Sequence, residues 1–89
     1  NNMIARSWRE KTIFTEKDAT SEELAQLHKR NIKSVLTVPL VGRQGRVGIM
    51  VLEHEVDLPK GISDESVKFA RVVAQELSLS VETLTSMIR

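Results

Sequence analysis

The sequence predicts an α+β domain: an antiparallel sheet with flanking helices and one long C-terminal helix. Three observations carry that prediction. Apolar residues fall at Val67, Ala70, Ala74, Leu77, Val81, Leu84 and Ile88, a three–four alternation held for about three heptads, as on one side of a long helix. Upstream, two aliphatic runs at 34–41 and 46–53 flank Gly42-Arg43-Gln44-Gly45, the pattern of a β-hairpin. Before them, Thr20-Ser21-Glu22-Glu23 reads as a capping box opening a short helix.

Taken in order, Met3, Ile4 and Trp8 share a helical face, so the chain opens on a turn or two of helix. Residues 12–15, Thr-Ile-Phe-Thr, form a short β-branched and aromatic strand candidate. The next helix has Thr20 at its N-cap and Glu23 at N3. Acidic residues stand in its first turn and Lys29-Arg30 in its last, as the helix dipole favours, and Asn31 stops it. The strand at 34–41 places Leu36, Val38 and Leu40 on one side, with Val35, Thr37 and Val41 on the other. Pro39 requires an edge, a bulge or an N–H position facing away from a neighbour. In the returning strand, Val47, Ile49 and Val51 share one face and Met50 and Leu52 the other, so the hairpin is expected to be central and covered at least partly on both sides. Residues 54–62 form a loop punctuated by Pro59 and Gly61. Ser63 then caps a helix running to near Arg89.

Composition narrows the function classes. The 89 residues form one small domain, read here as a piece of a longer protein because it opens on Asn1-Asn2. A net charge of +1 argues against a dedicated nucleic-acid binder. No stretch approaches the roughly 18 apolar residues of a membrane span. There is no cysteine, which removes disulfides, thiolate metal sites and cysteine nucleophiles.

The run Ile32-Lys33-Ser34-Val35-Leu36-Thr37-Val38-Pro39-Leu40 resembles the core strand of a GAF domain, with its Ser-x-x-x-x-Pro-Leu pattern. Gly45-Arg46-Val47-Gly48-Ile49-Met50-Val51-Leu52 looks like the next GAF strand, and Ile62-Ser63-Asp64-Glu65 stands where that family opens its last helix. Phe69-Ala70-Arg71-Val72-Val73-Ala74-Gln75-Glu76-Leu77 is similar to the terminal GAF helix. The resemblance covers residues 32–89, and residues 1–31 match the pocket-lining region loosely. It implies a single GAF-like domain over 1–89 that lacks the N-terminal helix and first strands, leaving a bare sheet edge and an uncovered apolar face.

The resemblance also bears on chemistry. Bilin-binding GAF domains attach their pigment through cysteine, so a covalent bilin is excluded, and any other cofactor is unknown. The GAF-type methionine sulfoxide reductases depend on cysteines too. The cyclic-nucleotide class carries an Asn-Lys pair that this chain lacks, although Asp64-Glu65 is present. His28 and His54 have no second ligand at metal-like spacing, and Glu53 and Glu55 point to opposite faces from His54 in a strand. Ser34 begins a strand and belongs to no nucleophile–base set. Gly42, Gly45 and Gly48 sit between strands and do not open a helix, so they form a turn and not a phosphate loop.

Trp8, between Arg6 and Arg9, reads first as a staple over the core. With Arg6 and Phe14 it also supplies the ligand-binding candidates, because the matching GAF region lines the pocket. The terminal stripe is divided. Its first half, 67–74, roofs the hairpin. Its second half, carried by Leu77, Val81, Leu84 and Ile88, is the candidate dimer and relay surface. The expected function is a cytoplasmic sensory or regulatory module that is not itself an enzyme. It would bind a small molecule and signal through a homodimeric helix to an output domain in the same chain, such as a histidine kinase or diguanylate cyclase. The alternative is a ligand-free dimerisation or protein-interaction module.

Overall fold

The computed structural model describes residues 2–55 and 62–88. Residues 56–61 of the expected loop lie outside the described residues. The elements are α1 (Asn2–Glu10), β1 (Phe14–Thr15), a 3₁₀ turn (Glu16–Asp18), α2 (Ser21–Lys29), β2 (Ser34–Gly42), β3 (Gly45–His54) and α3 (Asp64–Met87). The three strands are antiparallel in the order β1-β2-β3. The fold is therefore the α+β arrangement expected, with α3 its longest element, 24 residues or about 36 Å.

Local chemistry sets most of the boundaries. The Glu23 N–H donates to Thr20 Oγ1 at 3.2 Å, and the Thr20 N–H donates back to Glu23 Oε1 at 2.9 Å, completing the box that starts α2. Asn31 follows α2 at φ 60°, a left-handed conformation that asparagine tolerates better than most residues. Ser63 caps α3 by accepting the Ser66 N–H at 3.1 Å. Gly45 turns the hairpin at φ 125°, where a side chain would be strained. The expected strand at 12–15 shortens to Phe14 and Thr15, which pair with Thr37 and Leu36. Pro39 lies beyond the end of β1, where the side of β2 opposite β3 has no partner among the described strands.

The core has two parts, one on each face of the sheet. Met3, Phe14, Leu27, Ile32 and Val35 pack together under α1 and α2. Leu36, Val38 and Leu40 pack against Ala70 and Ala74 of α3. The two sets alternate along β2, so the central strand is covered on both sides. β3 differs from the expected central strand. It is an edge of the described sheet and not central, and Leu52 is half exposed. Val51 nevertheless packs on the α1–α2 side and Val47 and Met50 on the α3 side, the partial cover of both faces that was expected.

One expectation about packing is corrected. Val47 does not share a face with Ile49 and Val51. The pairing slips between Leu40 and Val41, so that Leu40 opposes Gly48 while Val41 opposes Arg46. Val47 is the extra residue of that bulge and packs with the α3 cluster, whereas Val51 packs with the α1–α2 cluster. On α3, the buried face follows Ala70, Ala74 and Ser78 and not Leu77. A straight helix repeats every 3.6 residues and drifts away from a 3.5-residue seam. Ser78 is 1% exposed, and its Oγ donates to the Ala74 carbonyl at 2.6 Å, while Leu77 is 39% exposed.

Candidate functional site

Of the three ligand-binding candidates, Arg6 and Phe14 are in contact beside α1, whereas Trp8, on the same helix, packs against Arg46. Arg6 is placed by that helix against the start of α2. Its Nε donates to Glu23 Oε2 at 3.0 Å and its Nη2 to Glu23 Oε1 at 2.8 Å, a two-point fork on one carboxylate. Nη2 also donates to the Asp18 carbonyl at 2.9 Å. The guanidinium sits 4.4 Å from the centroid of the Phe14 ring. Phe14 is in the core, and its carbonyl receives the Thr37 hydroxyl.

Glu23 thus serves two partners, the α2 cap and Arg6. The Arg6 donors hold its carboxyl below the usual carboxylate range. Burial acts in the opposite direction, and the Thr20 N–H adds to the lowering. The same pairing raises the Arg6 pKa.

Trp8 is 36% exposed and has a different cationic partner from the one its sequence neighbours suggest. Arg46 of β3 lies 5.1 Å from its ring centroid and donates from Nη1 to the Trp8 carbonyl at 2.9 Å. The bulge at Val47 brings Arg46 to the α1 side of the sheet, a placement no local pattern displays. On the same side, Arg30 pairs with Glu53 at 2.7 Å and ties the end of α2 to β3.

Glu16 is a further group that sequence reasoning missed. Both carboxylate oxygens are shielded from solvent and meet no hydrogen-bond partner among the described residues. A carboxylate in that state is costly, and such groups are retained more often at functional positions than elsewhere. Only its neighbour Thr15 offered a signal, as the cap of the 3₁₀ turn.

The relay candidates lie on the opposite face of the sheet, along α3. Leu77 is 39% exposed, Val81 is half-buried, Leu84 is 59% exposed and Ile88, just beyond the helix, 76% exposed. The stripe is buried against the sheet at Ala70 and Ala74, part-exposed at Leu77 and Val81, and mostly exposed at Leu84 and Ile88. Phe69, Val72 and Met87 add to the exposed apolar surface of the helix. The flank around Phe69 and Val73 forms an open cleft of about 830 Å³ with Leu36, Met50 and Leu52. That cleft does not include Arg6, Trp8 or Phe14. His28 and His54 belong to no group of metal-ligating side chains among the described residues. No helix among them is long and apolar enough to cross a membrane.

Comparison with known proteins agrees with this architecture. The sequence profile of the GAF domain family matches residues 4–81. Among solved structures, the chain is similar to the GAF domain of a two-component sensor histidine kinase from Bacillus halodurans, with a TM-score of 0.74 at 17% identity. That match covers 98% of this chain and 60% of the solved one, so this chain spans less than two thirds of the solved chain's length. No curated protein matches the sequence.

Proposed function

The chain belongs to the GAF domain family, and from that premise we propose that it is a sensory or regulatory module that binds a small molecule and signals through α3 to an output domain. The observation that supports this most is the graded exposure of Leu77, Leu84 and Ile88 along a helix whose first half is packed on the sheet. A helix anchored at one end and apolar at the other is suited to carry a change in the domain to a helix–helix contact. Pairing of two copies along Leu77, Val81, Leu84 and Ile88 is the contact proposed. An output domain of the histidine kinase kind accords with the solved neighbour, which comes from such a protein.

The ligand would approach Arg6, Trp8 and Phe14 on the other face of the sheet. An anionic ligand reaching Arg6 would take the place of the Glu23 carboxylate on the guanidinium fork, which fixes the chemistry of the exchange. Binding would then be felt at the start of α2, because Glu23 also closes its cap. The test is a thermal-shift screen of carboxylates, phosphates and nucleotides. A ligand at a hundredfold excess over its dissociation constant adds about 2.7 kcal/mol of stability. Stabilisation that is lost in Arg6→Gln supports the reading, and a screen without any shift removes the ligand from it.

A second reading, a ligand-free dimerisation module, rests on a specific observation. The fork of Arg6 is already occupied by Glu23 and Asp18, and Phe14 is buried. In that reading the α1–α2 contacts are structural and α3 alone carries the function. Dimerisation without any ligand shift selects it.

A further inference from the structure

Near the end of α3, Glu82 reaches the β2–β3 turn. Glu82 Oε2 accepts the Gln44 N–H at 3.1 Å, linking two positions 38 residues apart. Its carboxylate also lies directly over Gly42. A methyl group built at residue 42 would stand 2.7 Å from the Glu82 carboxyl carbon and closer still to Oε2. Gly42 does not have the positive φ that marks Gly45, so its backbone accepts other residues. A methyl group there meets only the far end of the flexible Glu82 side chain, so it would push the carboxylate off the turn. Thr85 and Ser86, one turn further on, line a cleft of about 320 Å³ with Gln44, Gly45, Arg46 and Val47. The last turns of the helix therefore lie along the hairpin tip.

We propose that Glu82 is a latch that fastens the last turns of α3 to the β2–β3 turn, so that displacement of either is delivered to the other. The latch rests for its purpose on the relay reading of α3 and supplies that reading with a point of control. Arg46 gives it a route from the opposite face. That residue follows the turn directly and holds Trp8 through its ring and carbonyl. A shift of α1 is thus two contacts away from the helix segment that carries Leu84. The carboxylate is suited to the task because an ionised acceptor makes a stronger bond to a backbone N–H than a neutral one. Coupling of this kind must also be reciprocal: loosening the turn frees the helix end, and loosening the helix end frees the turn.

Glu82 acts here as a positioning residue, and the test separates that role from simple packing. Backbone amide hydrogen exchange is measured by NMR on the dilute 89-residue chain without ligand, so neither dimerisation nor ligand binding enters the result. In Glu82→Ala, exchange at Gln44 and at residues 83–87 should rise about threefold to tenfold, the range expected for losing a charge-assisted bond at a partly exposed site. Glu82→Gln, which keeps an acceptor oxygen at the same reach, should restore at least part of the protection. Gly42→Ala should reproduce the effect of Glu82→Ala at both places, because the new methyl displaces the carboxylate. The double variant Gly42→Ala/Glu82→Ala should then match Glu82→Ala alone. Faster exchange at Gln44 with residues 83–87 unchanged would reduce Glu82 to a cap on the turn and overturn the latch. Strict additivity of the two substitutions would overturn it as well.

Discussion

A charge placed at residue 78 and a charge placed at residue 77 separate the observed helix packing from a heptad seam. Ser78 is 1% exposed against the sheet, and its hydroxyl bonds back to the Ala74 carbonyl. Ser78→Asp puts a carboxylate too short to reach water into that contact. An uncompensated buried charge costs several kcal/mol, taken here as about 3 kcal/mol or more. A chain of this size has a total stability of about 4–13 kcal/mol. With about 4–8 °C of Tm per kcal/mol, Ser78→Asp should lower Tm by at least about 12 °C. Leu77→Glu differs because the leucine is already 39% exposed. It forfeits roughly 60% of the 1.5–3 kcal/mol that full burial of a leucine contributes, about 1–2 kcal/mol, and its new carboxylate can reach solvent. The assay is thermal unfolding by far-UV circular dichroism, at a concentration low enough to keep the chain monomeric. A larger loss from Leu77→Glu than from Ser78→Asp would restore the heptad seam and refute the packing described here.

Other contacts give sharper local readouts. The folded-state pKa of Glu23 is depressed, so its contribution to stability is present above the ordinary glutamate value of about 4.3 and is lost as pH falls through the lower folded value. Wild-type Tm should therefore fall with acidification below about pH 4.3 more steeply than that of Glu23→Gln, and parallel curves would contradict the Arg6–Glu23 pairing. Arg46→Ala uncovers the ring of Trp8, the only tryptophan. Acrylamide quenching of its fluorescence should rise while stability changes by about 0.5–1 kcal/mol, the range for an exposed cation–π contact. Glu16→Met removes a carboxylate whose two oxygens have no partner. It should stabilise the chain by about 1–3 kcal/mol in a urea titration, and a loss of stability would mean the carboxylate is satisfied in solution.

What was legible in the sequence was local. The capping box at Thr20 and Glu23 and the Ser63 cap were readable because each motif closes within four residues. The hairpin turn was readable because Gly45 supplies the backbone that few other residues adopt. The placement of Val47 was hidden, since a bulge is a property of two paired strands and leaves no mark on either one alone. Ser78 was hidden for a different reason. A hydrophobic pattern counts Leu77 and passes over a serine that satisfies its own hydroxyl within the helix. The partners of the ligand-binding candidates were not foreseeable. Glu23 is 17 residues from Arg6, and Arg46 is 38 residues from Trp8. The first half of α3 packs on the sheet, and in its second half Leu84 and Ile88 are mostly exposed while Ser78 is buried.

The central claim is that the outer half of α3 pairs with a second copy. Sedimentation velocity of the 89-residue chain and of Leu84→Glu tests it directly. Leu84 is 59% exposed, so the substitution has little effect on the fold of a single chain. The account predicts a concentration-dependent dimer for the wild type and a monomer with unchanged circular dichroism for Leu84→Glu. An identical sedimentation profile for the two proteins would contradict it.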